Sequence, residues 1–116
     1  MILYKSKSIY IGKSNIHGWG VFTDAFINKD ELIEECNVIK FTSFDSCVNS
    51  ISSHFFDYVL DDERIFYLPV GFCVTINSSV NPNVRFDFDM DSNIARIFSI
   101  KDINPGDEIL LSYGFK

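Results

Sequence analysis

Apolar and polar positions alternate with period two along much of this chain, in short segments separated by turn residues, which is the pattern of half-buried β-strands. "SIYIGKSN" (8–15) and "GWGVFTDAF" (18–26) read as two strands flanking a turn at Ser14–Gly18. After the turn-like "INKDE", "ELIEECNVIKF" reads as a longer strand, with Leu32, Glu34, Cys36, Val38 and Lys40 on one face and Ile33, Glu35, Asn37, Ile39 and Phe41 on the other. "VRFDFDMDSNIARIFSI" is two alternating runs around Met90–Asn93, the pattern of a β-hairpin. Pro105-Gly106 marks a turn before a last strand, Glu108–Tyr113.

The middle of the chain follows another rule. In "SFDSCVNSISSHFFDYVL" (43–60), Phe44, Cys47, Val48, Ile51, Phe55 and Phe56 approach helical spacing, and Ser43 is a candidate N-cap. The serines and Asn49 are weak helix formers, so short helical turns are expected there rather than a long helix. "RIFYLPVGFCVTI" is apolar and strand-like, interrupted by Pro69 and Gly71. No internal repeat and no linker interrupts the chain. Periodicity alone therefore gives one mostly β domain.

Composition narrows the picture only a little. The 116 residues are enough for a single domain with a modest core. Twelve Phe and five Tyr make the chain aromatic, which suits either aromatic packing in a β-rich core or an aromatic-lined channel. A net charge of −6 argues against a nucleic-acid partner and is compatible with a basic one. The three cysteines, Cys36, Cys47 and Cys73, lack CxxC spacing and are accompanied by two histidines. They read as buried free thiols in a reducing compartment, with no metal site expected. No apolar run is long enough to span a membrane, and the chain reads as soluble and intracellular.

Two acidic clusters invite sharper readings. Asp87, Asp89 and Asp91 have the spacing that opens a calcium-binding loop, but that loop needs Gly and Glu where this chain has Ser92 and Phe98. A solvated hairpin face accounts for them. Asp57, Asp61, Asp62 and Glu63 form a second run, either a solvated loop or a feature that steers a basic peptide.

Three stretches, in order, carry more weight together than alone: "HGWGVF" (17–22), "INSSVNPNV" (76–84) and "GDEILLSYG" (106–114). Taken singly, the first is a tight turn and the second is common turn chemistry. Together they resemble the SET domain of S-adenosylmethionine-dependent protein-lysine methyltransferases, over about residues 9–115. The chain is most similar to the minimal SET proteins of viruses. The resemblance implies a SET-domain fold, mostly β (β-rich α+β), of short curved sheets with a C-terminal pseudo-knot, and a single domain over 1–116 without pre-SET or zinc-binding post-SET regions. It also implies methyl transfer to a lysine amine, with a basic, histone-like peptide as one fitting substrate. No metal is needed for that chemistry. The compartment would be the cytoplasm, or the nucleus of a host cell for a viral protein.

Carried over by motif, the resemblance assigns Gly18, Trp19 and Gly20 to the cofactor's methionine end and Asn77 to its amino-acid end. Ser78 stands where the family usually has histidine, a residue that acts largely through its backbone toward the adenine. Pro82-Asn83 would shape this loop, and Glu108, which begins the last motif, would be structural. Tyr113 matches the catalytic tyrosine, and its hydroxyl would position the methyl group and the lysine nitrogen. Tyr58 matches an aromatic that helps form the cofactor and lysine pocket; Phe72 and Phe115 are further candidates for the substrate channel, although Phe72 reads first as a buried core residue. The chain ends at Gly114-Phe115-Lys116, where many relatives continue into a cap over the channel. A homodimer is the expected way to supply that wall. The serine at position 78 and the missing cap also leave room for a different class of function, a non-catalytic SET-like binding or assembly module.

Overall fold

The computed structural model describes residues 2–41, 56–60 and 63–112. In chain order the elements are β1 (Ile2–Lys5), β2 (Ile9–Lys13), β3 (Trp19–Thr23), β4 (Leu32–Phe41), β5 (Phe56–Leu60), β6 (Glu63–Pro69), a 3-10 helix (Phe72–Thr75), β7 (Asn77–Ser78), β8 (Val84–Asp89), β9 (Ile94–Ser99) and β10 (Glu108–Leu111). Among the described residues they form two sheets. One runs β5-β6-β4-β9-β8, with β1 also paired to β4, and the other runs β2-β3-β10-β7.

Local sequence explains most of these elements. In β8 and β9 burial alternates residue by residue, with Val84, Ala95, Ile97 and Ser99 inward. Between them Asp89 closes the turn, its Oδ1 accepting from the amides of Asp91 at 3.0 Å and Ser92 at 3.4 Å, and Asn93 takes the left-handed φ of 56° that asparagine tolerates. The Ser92 hydroxyl and amide hold the Asp89 carboxyl below its usual value. Asp87 pairs with Arg85 on the solvent side. The string of aspartates therefore serves the hairpin.

Strand β4 departs from strict alternation. Its pairing with β9 shifts register between Leu32 and Glu34, so Ile33 and Glu34 are both buried. A bulge adds a residue to one strand and turns two successive side chains toward the same side. Beyond it the expected face holds: Cys36 and Val38 are buried while Asn37 and Ile39 are exposed.

Two expectations change. The helical turns expected over 43–60 are contradicted at their C-terminal end, where residues 56–60 pair with β6 as strand β5; residues 43–55 lie outside those described. Cross-strand pairing outweighs local helical spacing at Phe56, a residue type that favours strands. The last strand ends at Leu111, with Tyr113 outside the described residues. Among the residues whose burial is described, the core cluster is aliphatic: Ile9, Val21, Ile27, Ile33, Ile97, Ile103 and Ile109 are buried with Cys36 and Cys73, whereas Phe72, Phe86 and Phe88 pack only partly buried against it. β-branched side chains pack flat against the pleated surface, leaving the larger rings at its margin. No described helix is long and apolar enough to cross a membrane.

The position of β10 organises the rest. It pairs antiparallel with β3 on one side, Ile109 opposite Val21, and parallel with β7 on the other, Leu110 opposite Asn77. The last described strand thus lies between two segments much earlier in the chain. That is the arrangement the implied pseudo-knot requires.

Candidate functional site

The site begins with the turn between β2 and β3. The Ser14 amide donates to the Gly18 carbonyl at 2.8 Å, and Ser14 Oγ accepts from the amides of Ile16 at 2.9 Å and His17 at 3.3 Å. A serine hydroxyl capping the amides that follow it is a common local substitute for regular pairing. Gly18 completes the turn at a φ of 50°, a conformation that costs little only for glycine. The chain then enters β3 with the carbonyls of His17 and Trp19 turned toward β7.

Asn77 meets them there. It is 7% exposed, and its Nδ2 lies 3.1 Å from His17 O, 3.1 Å from Trp19 O and 2.9 Å from Glu108 Oε2. All three partners are acceptors, so the amide must turn its nitrogen toward them. An amide nitrogen has two hydrogens, one fewer than the acceptors around it. The amide oxygen points away from this group, and no described residue donates to it. Glu108 is itself held from the far side, its Oε1 accepting from Ser14 Oγ at 2.8 Å. The carboxylate fits because Gly20 has no side chain: a Cβ there would stand 2.3 Å from Glu108 Oε2.

A second asparagine fixes β10. Asn83 Nδ2 donates to Glu108 O and Asn83 Oδ1 accepts from the Leu110 amide, both at 2.8 Å, while the Asn83 amide donates to Leu110 O at 3.0 Å. The Ser79 amide adds a bond to Leu111 O at 3.0 Å. The loop from Ser79 to Asn83 is thereby fastened along β10. Beside it opens a cavity of about 410 Å³, mostly apolar, lined by Pro82, Val84, Phe86, Ile100, Leu111 and Ser112, with Arg85 at its edge.

The residues expected from sequence divide accordingly. Gly18, Trp19, Gly20 and Asn77 converge in one group. Trp19 takes part through its carbonyl, since its side chain is 58% exposed with Lys13 Nζ 6.0 Å above the ring. Ser78 is adjacent in β7 and exposed, with its backbone beside Leu111. Phe72 packs against the core with Lys5 Nζ 5.0 Å above its ring. Tyr58 lies on β5, which pairs with β6 in the other sheet. Tyr113 and Phe115 lie outside the described residues. Sequence reasoning gave Ser14 and the His17 carbonyl no role, and gave Glu108 only a structural one. No spacing along the sequence signals these roles, because residues 14, 17, 20 and 108 meet only in the fold.

A separate cluster lies behind the 3-10 helix. Glu34, 1% exposed, accepts from the amides of Phe72 at 2.6 Å and Cys73 at 2.8 Å, capping the helix from outside it. Cys36 Sγ and Cys73 Sγ are 3.5 Å apart, both buried free thiols. The hydrogen bond to Cys36 and burial hold the Cys73 thiol well above its ordinary value. Each potential ligand atom of this cluster already has a partner within the protein.

Comparison with known proteins places this geometry. The SET domain family matches residues 18–114. Among solved structures, a candidate histone methyltransferase of Plasmodium falciparum is similar over 96% of this chain and 96% of its own, with 29% sequence identity and a TM-score of 0.77. A humanised mutant of the Chaetomium thermophilum Polycomb Repressive Complex 2, bound to the inhibitor GSK126, shares the fold over 94% of this chain and 15% of that chain, at 21% identity and a TM-score of 0.72. Among curated proteins none matches. The interleaved β3, β7 and β10, with the three motifs brought to one end of a small sheet, are those of a SET domain, and the chain belongs to the SET-domain family.

Proposed function

We propose that this protein transfers a methyl group from S-adenosylmethionine to the side-chain amine of a lysine in a protein substrate. The observation that carries the reading is the group around Asn77. Two backbone carbonyls and a carboxylate oxygen converge there, beside an amide oxygen without a described donor. An amide oxygen free of a described donor, next to two backbone carbonyls that each keep a second lone pair, suits a primary ammonium, which has three N–H donors and a positive charge. The amino-acid end of the cofactor carries that ammonium, so the residues fit the group.

Asn77 and the backbone from His17 to Gly20 would hold the amino-acid end, and the Ser78 backbone would face the adenine. When bound, the cofactor supplies a sulfonium methyl that a neutral amine can take by in-line displacement. The protein's tasks are orientation and exclusion of water. A free lysine amine has a pKa of about 10.4, so a site that desolvates it favours the neutral form needed. Tyr113, which follows Ser112 directly, is the residue proposed to position the amine and the methyl group. The net charge of −6 and the name of the Plasmodium relative both support a basic, histone-like peptide as substrate.

The test is transfer of labelled methyl from S-adenosylmethionine to histone-like peptides by the purified protein, followed by peptide mapping. Label on lysine is expected, and Tyr113→Phe should reduce turnover at least tenfold while leaving cofactor affinity within about threefold. Protein that neither transfers methyl nor binds the cofactor would be a non-catalytic module, and the reading would fall.

A further inference from the structure

An asparagine amide is nearly symmetric in shape, so which end faces a ligand depends on its partners. At Asn77 that choice is made by the acceptors behind it, and only one of them is charged. Glu108 Oε2 accepts from Asn77 Nδ2 at 2.9 Å, and Glu108 Oε1 accepts from Ser14 Oγ at 2.8 Å. Ser14 in turn gathers the amides of Ile16 and His17. One carboxylate therefore joins the amide to the turn whose carbonyls complete the acceptor group. The chain also reserves space for it, because any Cβ at Gly20 would overlap Oε2.

We propose that Glu108 is a positioning residue of the cofactor site: its carboxylate holds the Asn77 amide with the oxygen toward the ligand's ammonium and clamps the Ser14–Gly18 turn against it. The proposal rests on the reading that Asn77 takes the amino-acid end of S-adenosylmethionine. It makes Glu108 more than the first residue of a structural strand, because its effect would be confined to one end of the ligand. A residue that merely supported β10 would affect every part of the ligand alike.

Two nucleosides separate these cases. S-adenosylhomocysteine carries the amino-acid end, and methylthioadenosine lacks it. Both are titrated into the wild type, Glu108→Ala, Glu108→Gln, Asn77→Ala and the Asn77→Ala/Glu108→Ala double variant. Glu108→Ala should weaken S-adenosylhomocysteine about ten- to hundredfold, the loss associated with one hydrogen bond to a charged group, and change methylthioadenosine by less than about twofold. Glu108→Gln keeps one acceptor for two donors, so it should weaken S-adenosylhomocysteine by roughly three- to tenfold, and it carries the same comparison if the alanine variant does not fold. In the Asn77→Ala background the Glu108 change should add clearly less than it does in the wild type, because the part of its effect that passes through the Asn77 amide is already lost. Equal weakening of both nucleosides, unchanged S-adenosylhomocysteine binding, or additive losses would each overturn the role of Glu108 while leaving the cofactor reading intact. Wild-type protein that binds neither nucleoside would overturn that reading, and this proposal with it.

Discussion

A Cβ built on Gly20 falls 2.3 Å from Glu108 Oε2 and 3.1 Å from Asn77 Nδ2, whereas one on Gly18 meets nothing within 4 Å. Gly18 instead has the positive φ of 50°. The two glycines of the "GWG" motif thus answer different demands, and their alanine variants should fail differently. Gly18→Ala forces a side chain into a left-handed conformation, a cost of about 1–2 kcal/mol, with little steric effect on the Asn77 group. Gly20→Ala displaces the carboxylate, or the strand beneath it, and should weaken S-adenosylhomocysteine by roughly tenfold or more. Urea midpoints and nucleoside titrations on both variants check this. A Gly20→Ala protein with wild-type affinity would show that the carboxylate can move without consequence. At this scale the sequence was legible in part. The motif identified both positions, but only coordinates show that the space at Gly20 is kept for a side chain from residue 108.

The 3-10 helix from Phe72 to Thr75 leads directly into Asn77, and what secures it is a buried carboxylate on another element. Glu34 bonds two of its amides, and a Cβ on Gly71 would lie 2.6 Å from Glu34 Oε2. Glu34→Gln places an NH2 group against one of those amides and leaves a donor unpaired, so stability should drop by about 1–3 kcal/mol in urea titrations. The buried thiol on the same helix gives a pH signature. Cys73 has a folded value well above its unfolded 9.0, so the folded state keeps a proton that the unfolded state releases. Its contribution to stability is full below pH 9 and is lost as pH rises from there toward the folded value. Cys36 is shifted the other way, mainly by the hydrogen bond from Cys73, and its gain is complete by the same pH. The wild type should therefore lose stability above pH 9 more steeply than the Cys36→Ala/Cys73→Ala double variant, as followed by urea midpoints across that range; parallel slopes would contradict the assignment. The pattern of "ELIEECNVIKF" revealed a strand and a buried face. It could not reveal the bulge that buries Ile33 beside Glu34, because register depends on the partner strand. Likewise the helical spacing that runs from Phe44 to Phe56 gives way at Phe56–Leu60 to a strand, because β6 is there to pair with it.

Across the whole molecule, the site exists only after segments 14–20, 77–83 and 108–112 have come together, and no two of them are neighbours in sequence. The order of motifs was readable in advance. What was not readable is the mechanical link between them, since β10 must enter between β3 and β7 and be held there. Asn83 supplies much of that hold. It is 8% exposed and bonds the backbone of β10 at Glu108 O and the Leu110 amide. Asn83→Ala leaves a partly buried carbonyl and a partly buried amide without these partners, which should cost about 1–3 kcal/mol. Its consequence for the site differs from that of the Glu108 variants. Asn83 fixes where the strand runs, so loosening it shifts the Glu108 carboxylate and the apolar cavity wall at Leu111 and Ser112 together. Asn83→Ala should therefore weaken S-adenosylhomocysteine and methylthioadenosine to similar extents, where Glu108→Ala is selective for the first. It should also lower the urea midpoint, because two backbone groups of β10 lose their partners. Parallel binding and unfolding measurements on the two variants decide the matter. If Asn83→Ala were selective and Glu108→Ala general, the division between the residue that holds the strand and the residue that aims the amide would have to be reversed.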